Sequence, residues 1–405
     1  MAIYSLICSL LVLFCISSLL FKSFINPCSI YSLVWLSISI GAAFFETTIE
    51  DKYKLSFTTI SIIFLSVLFF FIGSILNLNK YIHNDNRKLN YYEKSYKFSF
   101  FLLLISFFLL PIVISKAYSI VSNSTFNSVF IALRSELTDE NGQTYGIGAY
   151  GTIIANLGFL FTFNDYLKTG SNKKLLIVCF VISLIFDVLN TGRTFLLFTL
   201  IPALFILFLN RGVKLFYLLC SLALLFPIFI VFNILKTFSN FDTTTDIFDI
   251  KEIVDSIQIY FLGGIYALNN KLASMNFIGK GDGFLVFRTI KAILNSIGFD
   301  TKVQLLIQEY ENSPIKTNVY SIFYPYLYDF GIWSVLIFSF FIGLVHTFFF
   351  KNSKENESYL ILNCLLFYPL LMSFFQDQYF TLMSTWIQYT FLILIRNLFL
   401  RFNFK

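Results

Sequence analysis

Eleven apolar runs follow one another along this chain, at approximately 3–21, 25–45, 55–78, 96–115, 147–167, 175–190, 194–209, 214–235, 332–350, 358–375 and 379–400. Most reach the roughly 20 residues that an α-helix needs to cross a bilayer. Only 13% of the residues are charged, against roughly 25% in soluble domains. A chain of this composition has too few charges to cover a water-facing surface. The pattern predicts an all-α integral membrane protein, a single polytopic membrane domain over 1–405 with about eleven transmembrane helices.

The runs 175–190 and 194–209 are short, and Asn190-Thr191-Gly192-Arg193 joins them as a tight helical hairpin. Pro111, Pro202, Pro227 and Pro369 interrupt spans, which membrane helices tolerate when neighbours satisfy the freed carbonyls. The first run reads as a span rather than a signal peptide. No Lys or Arg precedes it, no A-x-A pattern follows it, and Lys22 lies beyond its far end.

Basic residues set the orientation. With the N-terminus outside, sixteen Lys and Arg fall in the inner segments and five in the short outer ones. By the positive-inside rule the C-terminus then faces the cytoplasm. Two outer segments are longer: 116–146, and a large loop over 236–331 with eight basic residues, which a long translocated loop is free to carry. Within the large loop, Ile250 to Leu272 and Phe287 to Ile297 repeat their apolar residues at helical spacing. Both stretches predict amphipathic helices on the membrane surface or over a cavity. Because the positive charges sit in short loops, the net charge of +6 speaks for topology and against nucleic acid. All six cysteines lie in apolar runs without a metal spacing, and there are two histidines, so neither metal nor cofactor is expected.

Arginine is scarce outside: Arg134, Arg193 and Arg288. A guanidinium matches phosphate with two parallel hydrogen bonds, which an ammonium does not. Arg193 stands at the hairpin turn near headgroup depth, where it either binds an anion, snorkels, or neutralises Asp187. Arg288 and Lys291 share a polar helix face with Asn295, suited to an anion or to water. Asp329 follows Tyr324, Tyr326 and Tyr328 at the start of a span; tyrosines there form an interfacial belt or line a sugar site. Glu136, Asp139 and Glu140 follow Arg134 and suit an acceptor hydroxyl or simply the surface. Asp329-Phe330-Gly331 spells a kinase magnesium motif without its companions, and Gly279-Lys280-Gly281-Asp282-Gly283 lacks the ending of a phosphate loop.

The topology, together with Thr191-Gly192-Arg193-Thr194 opening a span and Asn318-Val319-Tyr320-Ser321 leading into Tyr328-Asp329-Phe330-Gly331, resembles the bacterial oligosaccharide repeat-unit polymerases, the Wzy class. Some members show an arginine followed after fifteen residues by a glycine; after Arg134 that place holds Tyr150, with Gly151 one further, and Arg288 does not fit the pattern. The resemblance implies a metal-independent, inverting glycosyl transfer in the bacterial inner membrane. A growing glycan on undecaprenyl diphosphate would pass to a new lipid-linked repeat unit at the outer face. It implies Arg193, Arg134 and Arg288 on the diphosphate, Asp329 or Glu136 on the acceptor hydroxyl, and Tyr320, Tyr324 and Tyr328 against sugar. A chain-length regulator and a flippase are the implied protein partners, beside the lipid-linked oligosaccharide and the bilayer. A lipid-linked oligosaccharide flippase and an O-antigen ligase are the alternatives. The long outer loop disfavours the first, and the lack of histidine in 236–331 disfavours the second.

Overall fold

Among the described residues every regular element is a helix, apart from one antiparallel bridge between Glu311 and Thr317. The computed structural model describes residues 2–48, 54–77, 92–124, 129–138, 142–212, 214–223, 250–274, 278–281, 283–301, 303, 308–311 and 316–402. In chain order the helices are α1 (Ala2–Phe21), α2 (Pro27–Thr48), α3 (Phe57–Leu76), α4 (Tyr92–Asn123) and α5 (Val129–Thr138). They continue with α6 (Tyr150–Thr169), α7 (Lys173–Leu189), α8 (Arg193–Arg211), α9 (Leu215–Ala223) and α10 (Ile250–Ser274). The last are α11 (Arg288–Ser296), α12 (Phe323–Phe330), α13 (Ile332–Asn352), α14 (Glu357–Leu371) and α15 (Met383–Phe402).

Eight helices among the described residues are long and apolar enough to cross a membrane, the build of a multi-pass membrane protein. Three further apolar runs also form helices. Of these, α7 has 17 residues, α9 is described for nine, and α15 dilutes its apolar residues with Gln388, Arg396 and Asn397. The rest of the expected eighth span, and Asp139 and Glu140, lie outside the described residues. The fourth helix runs on to Asn123 although its apolar run ends near 115, because Lys116 and Ser119 are polar without breaking a helix. Local signals set other ends. Ser56 caps α3 by accepting from Thr59 N–H at 3.2 Å, and Gly170, at φ +69°, closes α6 in the left-handed region.

By packing, the chain divides into two compact units, each assembled from distant segments. The first holds Met1–Asn84, Val254–Tyr359 and Pro369–Ser384. Its central contact is α3 against α13, with the backbones touching. A Cβ on Gly73 would fall on the carbonyl oxygen of Phe340, and one on Gly343 on that of Phe70. The same seam carries Ser66 Oγ to Ser339 Oγ at 3.0 Å, Ser74 Oγ to Gly343 O at 3.1 Å and Asn77 Nδ2 to Leu344 O at 3.2 Å. Lipid tails are as apolar as leucine, so close approach through small residues and interhelical hydrogen bonds holds such helices together. A second polar knot, Ser17 and Ser18 on Ser29, ties α1 to α2 at 2.8 and 2.9 Å.

The second unit holds Asp85–Ile253, Leu360–Tyr368 and Thr385–Lys405. Helix α6 is its hub, packed on α4, α7 and α8. Buried Asp187 accepts from Thr199 Oγ1 at 2.7 Å and Asn156 Nδ2 at 3.4 Å, while Ser183 Oγ donates to Asn156 Oδ1 at 2.7 Å. Aromatic faces complete this core: Phe205 lies on Phe367 with ring centroids 3.8 Å apart, and Phe198 on Tyr368 at 4.0 Å.

Candidate functional site

In the first unit a small open cleft lies where the segment before α13 meets the turn after α14. Leu285, Arg288, Gln308, Asn318, Tyr320, Tyr324, Pro325, Gln376, Asp377 and Thr381 line it, around about 40 Å³ of space. The cleft brings together a cation, a carboxylate, three side-chain amides and two phenol rings, a lining suited to hydroxyl-rich or phosphorylated ligands.

Its back wall is built on backbone. Ile322 N–H donates to Ser373 O at 2.8 Å and Ser321 N–H to Gly264 O at 3.3 Å, so the tract 320–322 is fastened to the turn after α14 and to α10. Gly264 permits this, since a Cβ there would stand 2.7 Å from Phe374 O. Phe261 stacks on Phe374 at 5.1 Å beside that contact.

The tyrosines form a ladder. Residues 320, 324 and 328 recur every fourth position as the chain enters and follows α12. Tyr320 stacks on Tyr324 at 4.3 Å and Tyr324 on Tyr328 at 6.0 Å. Tyr320 OH donates to Glu309 O at 3.0 Å, which fixes the buried end. Burial pushes the Tyr324 phenol up to about 12, with the nearby Tyr328, Glu309, Asp329 and Glu311 adding to it. Burial likewise raises the Tyr320 phenol, so the Tyr320 and Tyr324 rings are neutral at physiological pH.

Asp377 was not among the residues expected from sequence. It is the acid of Gln376-Asp377-Gln378, a polar turn between two apolar runs, and that break in hydropathy was the available signal. Its side chain is 1% exposed. Oδ1 accepts from Tyr326 OH and Tyr379 N–H, each at 3.1 Å; Oδ2 accepts from Phe380 N–H at 3.1 Å, Thr381 N–H at 3.3 Å and Thr381 Oγ1 at 3.5 Å. Burial pushes its carboxyl up to about 6, against the opposing pull of these donors. Behind it, Tyr379 OH meets His346 Nε2 at 2.7 Å.

Asp329 stands differently. Its carboxylate is 3% exposed and sits in a nest of successive backbone amides. Oδ1 accepts from Phe284 N–H at 3.0 Å and Leu285 N–H at 3.2 Å; Oδ2 accepts from Leu285 N–H at 2.9 Å and Val286 N–H at 2.7 Å. In return, Gly279 and Gly281 N–H donate to Leu327 O and Tyr328 O, each at 2.9 Å, satisfying the carbonyls that end α12. The glycine-rich segment is thus a clasp on α12. Gly281 is required there, because a Cβ would collide with Asp329 Oδ1. Burial raises the Asp329 carboxyl above its ordinary value while the three amides and Lys291 pull it down. The turn through Gly283, at φ +76°, delays the helix expected from Phe287, so that α11 opens at Arg288.

The other arginines belong to the second unit, at the hairpin between α7 and α8. Thr191 takes the left-handed conformation at φ 52°, and Arg193 is the first residue of α8. Arg134 Nη1 donates to Thr191 O at 3.3 Å, and Tyr145 OH to Leu189 O at 2.6 Å, so α5 and the segment before α6 both clamp this turn. Arg134 and Arg193 therefore meet the same turn. Arg134 is exposed and Arg193 half-buried. Asp187 is held by the neutral side chains of Thr199 and Asn156. Glu136, also on α5, accepts from Gln143 N–H at 3.3 Å and fastens the following segment.

No protein-family model matches the chain, and no solved structure matches it. A curated relative, the O-antigen polymerase of Shigella dysenteriae, is 24% identical to this chain over 269 residues, which are 66% of this chain and 66% of the relative, a little under two thirds of each.

Proposed function

We propose that this protein is a polysaccharide polymerase of the inner membrane, of the kind that builds O-antigen or capsule from lipid-linked repeat units. It would transfer a growing undecaprenyl-diphosphate-linked glycan onto a new lipid-linked unit at the outer face. The observation that carries this reading is the cleft, where Arg288, Asp377, the amides, Tyr320 and Tyr324 share one small space. The name of the Shigella relative supports it. So does the topology we propose: eleven spans in a single membrane domain, the N-terminus outside and the C-terminus inside. In that arrangement the large loop and the 376–378 turn, which together line the cleft, fall on the same side of the membrane.

The chemistry needs few groups. An acceptor hydroxyl oxygen bonds to the anomeric carbon of the donor glycan as the bond from that carbon to the diphosphate oxygen breaks. The hydroxyl proton passes to a carboxylate, and the electron pair leaves on the lipid diphosphate. Guanidinium groups neutralise the developing charge, so neither a metal nor an acid is needed at the leaving group. Attack opposite the leaving group inverts the configuration.

We assign the base to Asp377 in preference to Asp329 or Glu136. Asp377 borders the cleft and two of its five donors are hydroxyls that can turn, whereas every donor the structure gives Asp329 is a backbone amide. A carboxyl titrating near 6 is also matched to proton transfer at neutral pH. Arg288 serves the diphosphate beside the cleft, and Tyr320 and Tyr324 offer faces to the sugar, with Tyr328 supporting Tyr324. Both substrates of such a reaction carry a diphosphate. Arg134 and Arg193 offer a second place for one.

Deletion of the gene tests the reading. It should remove long glycan chains and leave single repeat units on the final acceptor. Long lipid-linked chains without transfer would instead indicate a ligase. Single units trapped on the inner leaflet would indicate a flippase. Asp377→Asn at normal membrane abundance should reproduce the deletion.

A further inference from the structure

Helix α11 has no buried residue, and its apolar stripe is turned outward. Ile290, Ile293 and Ile297 lie on one side of the helix at i, i+3 and i+7, and are 43%, 52% and 64% exposed. Phe299, just beyond its end, is 59% exposed. Arg288, Lys291 and Asn295 occupy the opposite side. A soluble loop that displayed three isoleucines and a phenylalanine in this way would be a liability for aggregation.

The stripe does not stand alone. Phe287, at the entry to α11, meets the ring of Phe330 edge-on at 5.8 Å. Phe330, Ile332 and Trp333, at the start of the long apolar helix α13, are 42%, 41% and 77% exposed. An exposed tryptophan at the end of a membrane-length helix is an interfacial anchor. Phe287 thus joins the entry of α11 to the exposed apolar start of a helix long enough to cross a membrane. The cationic side of α11 complements lipid phosphates, the pattern of a helix lying in the interface plane.

We propose that α11 is an interfacial helix that lays Ile290, Ile293 and Ile297 into the leaflet beside the cleft, so that a lipid-borne anion reaches Arg288 along the headgroup plane. The occupant of the exposed side is the bilayer. The second clause rests on the polymerase reading; the first does not. Arg288, the first residue of α11, lines the cleft, so the depth of the helix sets the depth of the cleft mouth.

The test uses the full chain in bilayer nanodiscs of phosphatidylethanolamine and phosphatidylglycerol, with exposed Cys8, Cys15 and Cys220 replaced by serine. An environment-sensitive fluorophore is placed at Ile293→Cys or, separately, at Asn295→Cys. Lipids carrying a nitroxide high on the acyl chain should quench the label at 293 several-fold more than the label at 295, with aqueous iodide showing the reverse order. Equal iodide quenching at both positions would overturn the proposal in favour of a solvated helix. Protection of 293 from both quenchers would overturn it in favour of a protein cover. Because quenching is read without substrate, it stands apart from the polymerase reading. Glycan chain length in Ile293→Asp then tests the route to Arg288. Short chains at normal abundance are expected, with Ile293→Leu restoring full length. Full-length chains in Ile293→Asp would overturn the route alone.

Discussion

The carboxylate of Asp329 accepts from the N–H of Leu285 on both of its oxygens, at 3.2 and 2.9 Å, and with the Phe284 and Val286 amides on either side this pairing ties the turn after the glycine-rich segment to α12. A carboxylate placed to take a proton from a substrate has donors that can turn aside for it, as hydroxyls can; one placed to hold a loop is bound by backbone amides that cannot. Asp329→Ala should therefore act through structure. Losing charge-assisted hydrogen bonds to buried amides costs roughly 3 kcal/mol. Thermal unfolding in detergent should shift down accordingly, and proteolysis should appear in 278–287. Asp329→Asn, which keeps one acceptor oxygen, should fall between. Unchanged stability with complete loss of polymer would return Asp329 to the role of base.

Asp377 as the base should make activity and stability run in opposite directions with pH. Burial holds its carboxyl near 6, above the ordinary value of 3.8. The folded state therefore binds the proton more tightly than the unfolded chain. Its contribution to stability is full below about 3.8 and is lost as pH rises through about 6. Proton transfer to Asp377 needs the ionised form, so chain elongation in membrane vesicles should rise across the same interval. Asp377→Asn should remove the rise along with the activity. An activity profile flat from pH 5 to pH 7 would dismiss Asp377 as the base.

The seam between α3 and α13 leaves no room for side chains at two glycines. Gly343→Val should lower membrane abundance sharply, because a Cβ there meets the carbonyl of Phe70 and backbone cannot yield as a side-chain tip does. Gly158→Ala is the control. Its Cβ would meet Leu102 Cβ at 3.4 Å, an ordinary contact, so abundance should hold. Fluorescence-detected size-exclusion profiles of tagged variants measure both.

Arg193 should matter for chemistry rather than for charge balance. If its guanidinium meets a diphosphate, Arg193→Ala should slow polymerisation by about 10²–10³. Arg193→Lys, which keeps the charge and loses the fork, should leave short chains. Asp187 is satisfied by Thr199 and Asn156, so adding Asp187→Asn should rescue neither abundance nor chain length. Rescue in the double variant would show that the arginine serves as a counter-ion.

Hydropathy is a local property, and what depends on it was legible in the sequence. Among the described residues the apolar runs became helices, α10 and α11 fall on the stretches whose periodicity predicted them, and Arg193 stands at the tight turn where its neighbours Thr191 and Gly192 put it. Tyr320 and Tyr324 do share a cleft with Arg288. The partners were not legible. Glycine and serine on α3 announce a close approach, but nothing in their spacing names α13, some 270 residues away, because apolar helix faces are equivalent to lipid until their shapes meet. The roles we propose for the two carboxylates rest on tertiary structure. The sequence offers Asp329 as a candidate base, and nothing in it announces that the turn at Gly283 aims three amides at that carboxylate. Asp377 looks like a turn residue until the large loop folds back and makes its turn the wall of a cleft. Whether an acid is a latch or a base depends on which donors surround it: those of Asp329 come from 43–45 residues away in the chain, and Asp377 adds Tyr326 OH, 51 residues away, to the donors of its own turn.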